Sequence, residues 1–279
     1  MTTGDDLLLL AIDPGKRRLG DIGRLRFALR AAELADLELA GRISVGARLI
    51  EVRDTERVPD RRLGNVLHAL ATASPPPRLP DWLRQTPRSL ATEYLSRLAD
   101  QKAVRVRRWR DRTGRTRHDL LSVDTARRRT VLARLDAVLG PGLGDPPATD
   151  ADRVLAALVQ AAGLAHAAYP GLRGRAARRR LAALAAADRL APEAAGAATA
   201  VDEELADAIV MGADLLSARL SGELRDLYED FGTGASGHGG YGDSWSDGGG
   251  QHHGGGHHGG MDGGQHGGDS GGGGGHGGW

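Results

Sequence analysis

The sequence predicts a mainly α-helical protein. The expected fold is a single helical domain around a buried central helix, with one or two small β-hairpins and a disordered C-terminal tail. Three observations carry this. Residues 25–43, LRFALRAAELADLELAGRI, are apolar almost all the way round a helix of 3.6-residue period. Such a helix is buried by other helices, and its narrow polar wedge of Arg26, Arg30 and Glu33 is expected to reach outward. Further amphipathic segments of helical length recur along the chain, joined by turn residues. Residues 232–279 are mostly glycine, histidine, serine and aspartate, with almost nothing to bury. The helical domain is therefore placed at 1–231 and the tail at 232–279.

In chain order, Thr3 and Asp6 have capping-box spacing and open a short helix over residues 7–12. Asp13-Pro14-Gly15-Lys16 is a turn. The central helix follows, stopped by Gly41, which suits the left-handed position after a helix end. Residues 42–45 and 49–52 read as a small hairpin around Gly46-Ala47-Arg48. Residues 63–71 form a helix with Leu63, Val66, Leu67 and Leu70 on one face. Ser74-Pro75-Pro76-Pro77 is a stiff loop. The next helical segment opens at Trp82-Leu83 and is expected to pass Pro87 and continue through Leu90, Tyr94, Leu95 and Leu98. Val104 to Val106 and residues 120–123, either side of Thr113-Gly114, read as a second, strongly basic hairpin. Val131, Leu132, Leu135, Val138 and Leu139 mark a helix stopped by Gly140-Pro141-Gly142. Residues 152–168, 175–190 and 201–220 give three more helices, dense in alanine.

Composition narrows the function. The 279 residues include no cysteine, which excludes disulfides, thiolate metal sites and a cysteine nucleophile. A net charge of +1 hides a split: residues 102–134 hold twelve basic residues against three acidic ones. Only Lys16 and Lys102 are lysine, and the arginine, alanine and glycine usage suggests a high-GC bacterial gene. No basic leader precedes the apolar run 7–12, and no run approaches the length of a membrane span. A membrane contact would come from the side.

Catalysis finds little support, and the protein reads as non-enzymatic. Gly140-Pro141-Gly142-Leu143-Gly144 has no preceding strand, which a dinucleotide loop needs. Asp13-Pro14-Gly15-Lys16 lacks the first glycine and the final hydroxyl residue of a P-loop. His68, His118 and His166 are isolated, and no paired carboxylates stand out. The tail histidines lack the rigidity of a structural metal site, so no metal or cofactor is expected.

Five blocks carry a family resemblance: the run 7–12 with Asp13, the 25–43 helix ending Ala40-Gly41-Arg42-Ile43, Asp81-Trp82-Leu83, residues 95–106, and residues 164–184. In order and spacing they resemble the Golgi phosphoprotein 3 family, over residues 5–220. The resemblance implies one mostly helical domain that binds phosphatidylinositol 4-phosphate at a membrane surface. The family pocket uses a tryptophan before the central helix, an arginine within it, and two arginines one turn apart near a later helix start. Arg30 matches the first arginine and Arg88 the first of the later pair; Asp21 and Ala91 stand at the other two positions. Head-group contacts are thus expected from Arg30 and Arg88, with Arg26 and Arg84 as candidate substitutes. The preference for phosphatidylinositol 4-phosphate is expected to be weaker than the family pattern implies.

In the family a hairpin near residues 104–123 is apolar and dips into the membrane. Here it is basic, with Arg107, Arg108, Trp109, Arg110, Arg112, Arg115 and Arg117 as its membrane-facing residues. Arginines with one interfacial tryptophan suit an anionic lipid surface. The expected partner is therefore an anionic or phosphoinositide lipid, at the cytoplasmic face of a membrane, with a homo-oligomer left open. The alternative is a winged-helix nucleic-acid reader using the same hairpin as its wing. The preceding helix offers only Thr92, Glu93, Ser96 and Arg97 to read bases, and these mix signs.

Overall fold

The computed structural model describes residues 1–13, 15–19, 22–46, 49–114, 116–140, 148–197 and 204–233. Two buried helices lie at the centre, where one was expected. Helix α1 (Thr3–Ala11) is buried along its whole length, with Leu7, Leu8, Leu9 and Leu10 all fully inaccessible. Its N-cap is Thr2 rather than Thr3: the Thr2 hydroxyl accepts the Asp5 N–H at 3.2 Å, and Asp5 accepts the Thr2 N–H at 3.1 Å. The capping box was therefore read one residue late and the helix start four residues late.

A two-residue ladder follows where only a turn was expected. Strands β1 (Ile12–Asp13) and β2 (Arg18–Leu19) pair antiparallel. Asp13 Oδ1 accepts the Gly15 and Lys16 N–H groups and fixes the turn between them. Helix α2 (Ile22–Leu39) is the expected central helix, shifted toward its start by a few residues. It ends with Gly41 at φ 70°, the Gly41 N–H bonded to Glu38 O and the Arg42 N–H to Leu37 O. These two bonds make a Schellman closure.

The polar wedge of α2 is corrected by the structure. Glu33 does not reach outward; it is 0 % exposed. A buried carboxylate needs charged partners, and Arg30 and Arg62 supply them.

Strands β3 (Ile43–Val45) and β4 (Ile50–Val52) form the first expected hairpin, with Ile43 opposite Val52 and Val45 opposite Ile50. Helix α3 (Arg61–Thr72) buries Leu63, Val66, Leu67 and Leu70, as its spacing predicts, and Asp60 caps it. The helix expected to pass Pro87 is instead two: α4 (Leu79–Arg84) and α5 (Leu90–Asp100). Proline removes a helical N–H and disfavours helical backbone in the residue before it, so the break falls there. Strands β5 (Val104–Arg110) and β6 (Thr116–Val123) make a longer basic hairpin than expected, with a bulge at Leu121.

Helix α6 (Thr125–Leu139) ends at Gly140; Pro141 and Gly142 lie outside the described residues. The expected 152–168 helix is two, α7 (Asp150–Ala161) and α8 (Ala165–Ala168), separated at Gly163, whose φ is 69°. Helix α9 (Arg175–Ala197) is longer than predicted. Helix α10 (Glu204–Thr233) runs well past Leu220 and past Phe231. The tail from residue 234 lies outside the described residues. Helix α7 touches α1, α2, α6, α9 and α10, and its Val154, Leu155, Leu158 and Val159 are inaccessible.

Asp36 on α2 holds the start of α1. Its carboxylate accepts the Thr3 N–H at 3.0 Å and the Thr3 hydroxyl at 2.5 Å. Burial, the largest influence, raises the Asp36 carboxyl to about 6, against an ordinary 3.8, and Asp5 and Asp6 push the same way. The folded state then binds more protons than the unfolded state between those two values. Stability from this group is therefore complete below about pH 4 and lost as pH rises through 6, by up to about 3 kcal/mol. Asp36→Asn should flatten that part of the pH–stability curve in urea unfolding. Parallel curves for parent and variant would contradict it.

Candidate anion-binding site

The site starts from two arginines one turn apart on α2. Arg26 and Arg30 lie four residues apart, so they share a helix face. Arg30 donates to Glu33 at 2.9 Å, and its guanidinium lies 5.1 Å from the centre of the Trp82 ring. Trp82 comes from α4, whose opening proline, Pro80, presets the first turn. The ring and the cation attract through the ring quadrupole.

Behind them sits a buried ionic network. Glu33 bonds Arg62 as well as Arg30, and Arg62 reaches on to Glu93 of α5. Burial raises the Glu33 carboxyl, while the charges of Arg30 and Arg62 oppose it. Burial also lowers the Arg26 guanidinium, and the nearby like charge of Arg88 lowers it further. Arg88 is exposed and makes no ion pair among the described residues. Among the described residues, the ion pairs of Arg26, Arg30, Arg62 and Arg88 are with Glu33 and Glu93 alone, which leaves positive charge in excess there.

Three N–H donors here are buried with no hydrogen-bond partner among the described residues: Arg26 Nε, Arg30 Nε and Trp82 Nε1. An unsatisfied buried donor costs about 1–3 kcal/mol. Such donors beside uncompensated cations suit an anion with several acceptor oxygens, such as a phosphate ester.

The sequence model of the family described as Golgi phosphoprotein 3 (GPP34) matches residues 4–204. The chain belongs to the Golgi phosphoprotein 3 family. A search of the curated proteins finds no match. The matched span takes in every residue of this site, and α2 packs against both α4 and α5.

The predicted residues of this Golgi phosphoprotein 3 member are placed as follows. Arg30 is in the site, and Arg88 is near Arg26. Ala91 is fully buried on α5. Asp21 lies outside the described residues. Of the two candidate substitutes, Arg26 stands in the site, whereas Arg84 is committed to Asp230 at 3.2 Å and Asp81 at 3.8 Å. Trp82 was missed as a site residue. It is far from Arg30 in the chain, and no spacing rule links them.

The hairpin arginines divide. Arg107 is paired with Asp119 at 2.6 Å, and Arg108 bonds the Ser96 hydroxyl. Trp109 is 45 % exposed. Arg110 and Arg112 are exposed and make no ion pair among the described residues. Arg115 lies outside the described residues; Arg117 is placed by register opposite Trp109, with its side chain outside them. Three of the four residues that α5 would use to read bases are engaged within the protein. Glu93 holds Arg62, Ser96 holds Arg108, and Arg97 holds Asp60 at 2.5 Å and Asp5 at 2.9 Å. Among the described residues, no helix is long and apolar enough to cross a membrane, and no three His, Asp or Glu side chains group as metal ligands.

Proposed function

We propose that this protein is a peripheral membrane protein that holds an anionic lipid head group of the phosphoinositide monophosphate type, without chemistry upon it. The observation that carries this is the set of three buried N–H donors without partners, on Arg26, Arg30 and Trp82, beside the Arg26–Arg88 like-charge pair. A phosphate monoester satisfies the donors and relieves the repulsion together. Family membership supports the reading. The proposed domain reaches through α10, to Thr233.

Trp82→Phe tests the role of the donors. Phenylalanine keeps a ring over Arg30 and removes only the indole N–H. Binding to vesicles carrying phosphatidylinositol 4-phosphate should weaken by about two- to tenfold, the worth of one hydrogen bond. The melting point of the lipid-free protein should not fall, because no partner is lost. A lower melting point with unchanged binding would make Trp82 a packing residue only.

The hairpin supplies the second contact, through Trp109, Arg110 and Arg112. With Trp245 and Trp279 changed to phenylalanine, tryptophan emission should shift to the blue on adding anionic vesicles. Trp109→Phe should abolish most of that shift. A shift that survives the change would move the membrane contact away from the hairpin.

A further inference from the structure

A basic cavity lies along β6 and shares no lining residue with the site above. It encloses about 320 Å³ between the β1–β2 turn and β6, and Lys16, Arg17, Arg18, His118 and Asp119 line it above buried Leu19 and Leu120. Three consecutive cations are held there by the turn that Asp13 fixes. Arg17 adopts φ 51°, a left-handed conformation that arginine rarely takes. Strain of this kind persists where the surrounding structure enforces it, and it clusters at binding sites. The side chains of Lys16 and Arg17 form no ion pair among the described residues, and the Asp119 carboxylate is already neutralised by Arg107 at 2.6 Å. Lys16 and Arg17 therefore leave positive charge at the cavity. His118 stands opposite Arg108 in the ladder, one position from the Trp109–Arg117 pair, so the cavity adjoins the surface assigned to the membrane.

We infer that this cavity is a second phosphate-ester site, filled by a second anionic lipid head group when the hairpin is on the membrane. The inference rests on the membrane reading for its lipid source, and on the cavity alone for its phosphate chemistry. The test is calorimetric titration of the full chain with soluble inositol 1,4-bisphosphate. The parent should take two equivalents and K16A/R17A/R18A one. R26A/R30A should lose the other equivalent, so failure of the first site and failure of the second are told apart. R17G guards against misfolding. Glycine accepts the backbone of this turn, so its melting point should be no lower than the parent's while the second equivalent weakens. A single equivalent in the parent, or two in K16A/R17A/R18A, overturns the inference. Vesicles decide the source. Weaker binding of K16A/R17A/R18A to phosphatidylinositol 4-phosphate vesicles assigns the site to lipid. Unchanged vesicle binding, with inorganic phosphate displacing the second equivalent, keeps the phosphate site and assigns it to free phosphate.

Discussion

Replacing Glu33 with alanine is expected to lower folding stability by about 3–5 kcal/mol, the usual cost of removing one partner from a buried ion pair. For a domain of this size that is a melting point lower by about 10 °C. Glu33 is completely buried and is bonded by both Arg30 and Arg62. Without it, Arg30 keeps its desolvation and loses its counter-charge, and Arg62 is left with Glu93 alone. The loss should not be reproduced by Glu33→Leu combined with Arg30→Met and Arg62→Met, which removes the cluster's charges of both signs and fills the space. A cost below about 1 kcal/mol for Glu33→Ala would mean that the network is wetter and weaker than its burial implies.

The second large effect is on binding. Arg26→Ala and Arg30→Ala should each weaken attachment to phosphatidylinositol 4-phosphate vesicles by about ten- to a hundredfold, since a charged hydrogen bond is worth about 1.5–3 kcal/mol. The two changes should differ in stability. Arg30 is bonded to Glu33 and packed on Trp82, so its loss also disturbs the fold. Arg26 makes no ion pair among the described residues, and its guanidinium lies 4.4 Å from the centre of the Phe27 ring, so its loss should cost the lipid-free protein less stability than the loss of Arg30. Arg26→Ala is thus the cleaner probe.

Much of the fold is written in local pattern. The apolar circumference of α2, the Gly41 stop and the single apolar face of α3 each follow from spacing. The break at Pro87 was also legible, and the expectation of a continuous helix overrode it. The burial of Glu33 was not legible, because a charged residue on a helix is by default at the surface. Arg62, from another helix, joins Arg30 in making the burial tolerable. The site divides the same way. Arg30 follows from the family pattern, whereas Trp82 and the Arg26–Arg88 encounter exist only in three dimensions. Where Asp21 and Ala91 depart from that pattern, Trp82 and Arg26 supply donors from other places in the chain.

The most direct test compares vesicles of equal total charge, one set carrying phosphatidylinositol 4-phosphate and the other phosphatidylserine, with the parent protein and Arg26→Ala. Hairpin arginines near an anionic surface contribute about 1 kcal/mol each, whichever lipid supplies the charge. They set a common baseline for both vesicle sets. The site on α2 and α4 should add a preference for phosphatidylinositol 4-phosphate in the parent, and Arg26→Ala should reduce that preference while leaving phosphatidylserine binding within about threefold. Equal binding of the parent to both vesicle sets, or an unchanged preference in Arg26→Ala, would contradict a head-group site at Arg26, Arg30, Trp82 and Arg88.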